Sequence, residues 1–161
     1  MSLEELMKEL AEKSSEEKPW VWGVGNVLLG DDAVGCKVAE LLLERGMPGV
    51  VVCGTMPENY VATLRKISPR TLLIVDAANM GLAPGEFRRF SVGELNAVMD
   101  SSHGIPLSVL LGPFMDSIEI VVLGIQPSTL RLGASLSEAV ERAAHRVTDL
   151  ISRNEWREVT R

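Results

Sequence analysis

Cysteine is scarce in this sequence. Cys36 and Cys53 are the only two, 17 positions apart, with neither a metal-binding nor a redox spacing. They read as small core residues of a chain kept in the reducing cytoplasm. Long apolar runs are also missing. No stretch of about 18 such residues is present to cross a bilayer, and the first twenty residues are charged throughout, without the apolar core of a signal peptide. Positive charge is in deficit, 16 Lys and Arg against 22 Asp and Glu, for a net charge of −6. That balance excludes a general nucleic-acid or anionic-membrane binder. Several catalytic signatures are absent too. There is no G-x-x-x-x-G-K-[ST] phosphate loop, no G-x-S-x-G nucleophile elbow and no H-E-x-x-H zinc helix. Internal repeats and low-complexity tracts do not occur.

What is present is one domain's worth of chain, 161 residues with a 46% hydrophobic content. Leu3, Leu6, Met7, Leu10 and Ala11 recur at helical spacing behind a Ser2–Glu5 capping box, which predicts a helix over 2–14. With the polar linker "SSEEKP" it makes residues 1–19 an extension, whose apolar face packs on the domain or serves a second copy. "WVWGVG" predicts a first strand, and Val34, Val38, Leu41 and Leu42 one face of a helix stopping at Gly46. "GVVVC" reads as a second buried strand. Pro57 opens a helix with Tyr60, Leu64 and Ile67 on one face. "TLLIVDA" has the unbroken apolar run of a central parallel strand. "EFRRF" alternates as an edge strand, "SVGELNAVM" and the stretch after Pro106 as short helices, and "SIEIVVLGI" as a last strand. A Ser135–Glu138 box would start the final helix. The expected fold is α/β, a three-layer sandwich with a twisted, mostly parallel sheet of about five strands and helices on both faces. Residues 20–155 form that domain, and 156–161 a polar tail expected to fray.

Ligands of such sheets bind outside the carboxyl ends of the strands. Three segments bring polar side chains to that edge: "GNVLLGDD" with Asn26, Asp31 and Asp32, "LLIVDA" with Asp76, and "DSSHGIP" with His103. Each has an ordinary structural reading. Asp31 or Asp32 can cap the next helix, Asp31 the better placed to do so. Asp76 can satisfy amides of the "AANMG" turn, and His103 can be a loop histidine. Together they are a mixed oxygen and nitrogen donor set, suited to a divalent transition ion. His145 reads as a solvated helix residue. The loop "GVGNVLLGDDAVG" is a poor phosphate site. A dinucleotide fingerprint from Gly23 needs glycine where Leu28 stands, and Asp31 and Asp32 put negative charge where an anion would sit. Ser101 and Ser102 adjoin His103, but sequence neighbours are badly placed for a serine–histidine pair.

The pieces "GVGNVLLGDDAVG", "MPENY", "LLIVDAANMGLAPGEFR", "SSHGIPL" and "VLGIQP" stand in the order and spacing of a known family. On these motifs the chain resembles the [NiFe]-hydrogenase maturation endopeptidases of the hydrogenase-3 type. The resemblance spans about residues 20–130 and implies the α/β fold already expected. It also implies a peptidase that removes a C-terminal extension from the hydrogenase large-subunit precursor after nickel insertion, just after a basic residue. Nickel belongs to the substrate and is no permanent cofactor, although other divalent ions can occupy the site in vitro. Carried over by motif, the metal contacts fall on Asp32, Asp76 and His103. Asp32 or Asp76 is expected to act as general base on a water, the alternative being that the three residues only read nickel and the cleaving group lies elsewhere; Gly25, Asn26 and Asp31 are the expected substrate contacts. The family usually has glycine where Ala33 stands, a position expected to tolerate alanine at a helix start. Two other classes stay open on the residues alone: a non-enzymatic α/β module binding nickel or a metallated partner, and a nucleotide-binding domain.

Overall fold

Four parallel strands and one antiparallel edge strand make a single sheet, and their order creates the crevice that matters. The computed structural model describes residues 1–6, 17–97 and 106–161. Strands β1 (Trp20–Val24), β2 (Val50–Gly54), β3 (Thr71–Ala77), β4 (Phe87–Ser91) and β5 (Glu119–Ile125) lie in the order β2-β1-β3-β5-β4. Only β4 runs against its neighbour. The chain leaves β1 for β2 on one side, then returns to β3 on the other. The strand order therefore switches between β1 and β3, and such a switch opens a crevice outside the carboxyl ends of the pair.

Alternation along the strands builds two cores. Val21, Leu73, Val75, Leu123 and Ile125 face helices α1 (Val34–Glu44) and α4 (Glu138–Ser152), meeting Val38, Leu42, Val140, Val147 and Ile151. Trp22, Val24, Leu72, Ile74 and Val122 point the other way, toward Leu64 of α2 (Val61–Ile67) and Leu107 and Leu111 of α3 (Leu107–Leu111). β3 is covered on both faces, so its run from Thr71 to Asp76 is buried throughout. Each fully buried aliphatic side chain here contributes about 1.5–3 kcal/mol. The predicted three-layer α/β architecture is the one that forms. Among the described residues no helix is long and apolar enough to cross a membrane.

Several local expectations are corrected. "GVVVC" forms β2, but at the sheet edge, where Val50 to Val52 are only half-buried. Ile67 lies on the exposed side of α2, because the helix stops at Ser68 in a left-handed turn (φ 46°). The Ser135–Glu138 box does not form; α4 starts two residues later than it implies, with Ser137 at its N-cap and that hydroxyl engaged elsewhere. The Ser2–Glu5 box does form, with reciprocal bonds of 2.8 and 3.1 Å. The rest of its helix, and with it most of the apolar face, falls outside the described residues. The tail does not fray. Trp156 and Val159 are buried in the core beneath α1 and α4, and Arg157 holds Glu119 through two bonds of 2.6 and 2.9 Å. The boundary expected at residue 155 therefore disappears.

Candidate active site

β1 ends on Val24, and Gly25 turns the chain away from the sheet. A side chain at Gly25 (φ 147°) would run into the Asp32 carbonyl, and its Cβ would lie 3.6 Å from Asp76 Oδ1. At Gly35, the carbonyls of Val24 and Val75 press just as closely. Glycine at these two positions draws the start of α1 down onto the carboxyl ends of β1 and β3. That close approach brings the Asp32 turn and the end of β3 to one point. The space beside both glycines is filled from inside the fold. Gly25 is buried and its N–H donates to the Gly54 carbonyl at 3.0 Å, so its expected role as a substrate contact is corrected to a structural one.

Asp32 lies in the short 3-10 turn Gly30–Ala33 and is buried, at 8% exposure less completely than Asp76. Its Oδ2 accepts the Asn26 N–H at 2.8 Å, and Asn26 Oδ1 accepts the Leu28 N–H at 2.9 Å. Asn26 thus shapes the loop around Asp32. Ala33 has φ −75° and ψ −7°, ordinary right-handed geometry, so the departure from glycine is accommodated without strain.

Asp76 is completely buried near the end of β3, in register with Gly124 of β5. Its Oδ1 accepts the N–H of Ala77 at 2.8 Å. Burial, reinforced by the Asp32 charge, raises its pKa well above the usual carboxylate range, against the opposing pull of the Ala77 N–H. Asp76 satisfies only the first amide of the "AANMG" segment, that of Ala77, and another residue serves the rest of the turn. Gln126 Oε1 accepts the Met80 and Leu82 N–H groups at 2.7 and 3.3 Å, while its Nε2 donates to Asn79 Oδ1 at 3.3 Å. Gln126 went unnoticed in the sequence, yet it ends an apolar strand just as Asp76 does.

Asp31 behaves differently from its neighbour. It is fully buried, and its carboxylate accepts four bonds: from Ser128 N–H (2.8 Å), Thr129 N–H (3.0 Å), Ser137 N–H (2.7 Å) and Ser137 hydroxyl (2.8 Å). Burial works to raise its pKa, but the N–H groups of Ser137, Thr129 and Ser128 and the Ser137 hydroxyl prevail and hold it below the usual value. Two expectations are corrected here. Asp31 makes no cap for its own turn, and its oxygens are occupied inside the protein rather than facing substrate.

His103 falls within 98–105, outside the described residues. Among the described residues no group of three His, Cys, Asp or Glu side chains could hold a metal. The thiols offer no nucleophile. Burial pushes Cys36 up to about 11 and Cys53 up to about 12. His145 is exposed beside Glu141 at 3.3 Å, as expected. The site thus pairs a fully buried carboxyl that favours its proton with a second, slightly exposed acid side chain. Such a pair can accept a cation, which relieves the repulsion between them, or handle a proton in a hydrolysis.

Residues 36–154 match the family model described as hydrogenase maturation protease. Over 128 residues the chain is 34% identical to the hydrogenase 3 maturation protease of Escherichia coli K12, an alignment covering 77% of this chain and 82% of that protein. The fold is similar to the solution structure of an endopeptidase, HycI, from Escherichia coli, with a TM-score of 0.75 and 30% identity over 89% of this chain and 93% of the other. It is equally similar to the crystal structure of a [NiFe] hydrogenase maturation protease, HycI, from Thermococcus kodakarensis KOD1, with a TM-score of 0.75, 32% identity, and coverage of 91% and 98%.

Proposed function

The chain belongs to the hydrogenase maturation protease family, and from that premise we propose that its crevice recognises nickel held by a hydrogenase large-subunit precursor and cuts off that precursor's C-terminal extension. As a member of a peptidase family it is an enzyme, which sets aside the non-enzymatic module and the nucleotide-binding domain. The observation that carries the nickel reading is Asp76. A carboxyl with no exposure, at the end of an apolar strand and beside a second acid, is an expensive arrangement for packing alone. A cation arriving with the substrate offsets that cost. In this reading Asp32, Asp76 and His103 complete the coordination of a nickel ion that the precursor already holds, and release it with the product.

For the cleavage itself, Asp32 is the better placed base. It keeps a little exposure where Asp76 has none, and its orientation is fixed by the Asn26 N–H. It takes a proton from the attacking water as the oxygen bonds to the scissile carbonyl carbon. The proton passes to the departing amine as the C–N bond breaks. Asp76 sits deeper and acts as a metal contact that holds its proton until a cation displaces it.

The test is mass spectrometry of a nickel-loaded precursor incubated with wild type, Asp32→Asn, Asp76→Asn or His103→Ala. Wild type is expected to shorten the precursor and each variant to lose about a hundredfold or more in rate. Wild-type processing by any variant removes that residue from the site. Equal cleavage of a nickel-free precursor removes metal recognition.

A further inference from the structure

Among the described residues twelve large apolar side chains are exposed, and five of them, Val27, Leu28, Met56, Leu130 and Leu132, sit in loops that leave the carboxyl ends of β1, β2 and β5. Scattered apolar residues on a surface need no explanation, but a group gathered on one edge does. Leu28 is 62% and Leu132 72% exposed, so neither stabilises the fold appreciably.

Their backbones, however, are fixed. Leu29 and Leu132 form an antiparallel bridge, and the Gly133 N–H donates to the Leu28 carbonyl at 2.8 Å. The Asp31 N–H donates to the Thr129 carbonyl at 2.8 Å, and the Asp31 carboxylate binds the N–H groups of Ser128 and Thr129. The two loops are therefore one braced platform, carrying apolar side chains outward a few residues from Asp32. A rigid platform loses little entropy when a partner docks. Beside it runs a groove of about 320 Å³, whose lining includes Val27, Ala33, Lys37, Glu40, Leu136 and Glu141. Ala33 follows Asp32 directly, so the groove opens alongside the catalytic turn.

We infer that platform and groove bind the precursor's C-terminal extension as an extended segment, its aliphatic or aromatic side chains seated on Leu28 and Leu132 and in the groove at Val27. This rests on the proposed function. The extension is the fitting occupant for two reasons. The groove is of side-chain dimensions and is lined by Ala33, the residue that follows Asp32 in the same turn. It also holds two carboxylates, Glu40 and Glu141, against one lysine, Lys37, which disfavours an acidic segment and suits an apolar one with a cationic group.

The experiment compares wild type with Leu28→Ser/Leu132→Ser on nickel-loaded precursor and on the same precursor whose extension has serine in place of its aliphatic and aromatic residues. Wild type on the native extension sets the reference. The variant is expected to raise KM about tenfold or more, with kcat within about twofold and the urea midpoint unmoved. The serine-substituted extension is expected to raise KM for wild type by a similar factor and to add nothing further for the variant. An unchanged KM in the variant overturns the inference while leaving the function intact. So does a full further loss with the serine-substituted extension, because the platform then contacts the folded body of the precursor. Failure of wild type to shorten the native precursor overturns the function and this inference together.

Discussion

Replacing Asp31 by alanine removes the acceptor for four hydrogen bonds of 2.7 to 3.0 Å in a site without solvent exposure. Three of the donors are backbone N–H groups that cannot turn elsewhere. A bond to a charged group is worth about 1.5–3 kcal/mol, and a buried donor left unsatisfied costs about 1–3 kcal/mol. Water entering the space recovers part of that loss. The net destabilisation expected is about 3–5 kcal/mol, at the large end for a single substitution. With a urea m-value of about 2 kcal/mol per molar, the unfolding midpoint followed by circular dichroism should fall by about 2 M. Ser137→Ala removes one hydroxyl donor and should cost only about 1 kcal/mol. Because the folded-state pKa of Asp31 is lowered, its contribution is fully present above the unfolded value of 3.8 and is lost as pH falls through the folded value. The gap between wild type and Asp31→Ala should therefore close in acid. A midpoint shift below about 0.5 M at neutral pH would refute the clamp. Normal stability combined with lost processing would reverse the roles assigned to Asp31 and Asp32.

Asp76→Asn should abolish processing yet stabilise the fold at neutral pH by about 1–2 kcal/mol, the familiar exchange of stability for function. The sign follows from linkage: with the folded value raised, the native state holds a proton that the unfolded chain has released. Stability of wild type then falls by about 1.4 kcal/mol per pH unit between the unfolded and folded values, a slope that Asp76→Asn should remove from urea midpoints measured across pH. Gly25→Ala should unfold the turn or lower the melting temperature sharply, since its Cβ would meet the Asp32 carbonyl; a melting temperature equal to wild type would show that the loop relaxes freely. Trp156→Ala should cost about 3–5 kcal/mol in urea unfolding, where a frayed tail would cost nothing. Activity should survive iodoacetamide at neutral pH with Cys36 and Cys53 unmodified, as mass spectrometry of the native protein would record.

How legible these features are in the sequence depends on the distance over which they act. Asp76 could be found because a charge closing the run "TLLIV" is costly wherever the strand lies. β1, β3 and β5 were readable because strands covered on both faces show unbroken apolar runs. The division of labour between Asp31 and Asp32 was hidden. Adjacent acids look alike in sequence, and the groups that bind Asp31 lie 97 to 106 positions away. The same long reach misplaced the start of α4, since Ser137 uses its hydroxyl on Asp31 and not on its own helix. The tail was misread for a compositional reason. Trp156 and Val159 are two apolar residues among charges, with no period to mark them, and only the shape of the space under α1 and α4 makes them core.

The order of that tail has a further consequence at the rim of the sheet. β4 pairs with β5 on one side, and on its other side the Arg89 N–H donates to the Thr160 carbonyl at 2.8 Å while Arg89 Nε reaches the Val159 carbonyl at 3.2 Å. The last residues therefore act as a guard along an edge that would otherwise offer a template to another strand. A chain cut back to Arg153 would lose that guard together with its Trp156 anchor. Its tendency to self-associate should then rise with concentration, so an affinity tag belongs at the opposite end of the protein.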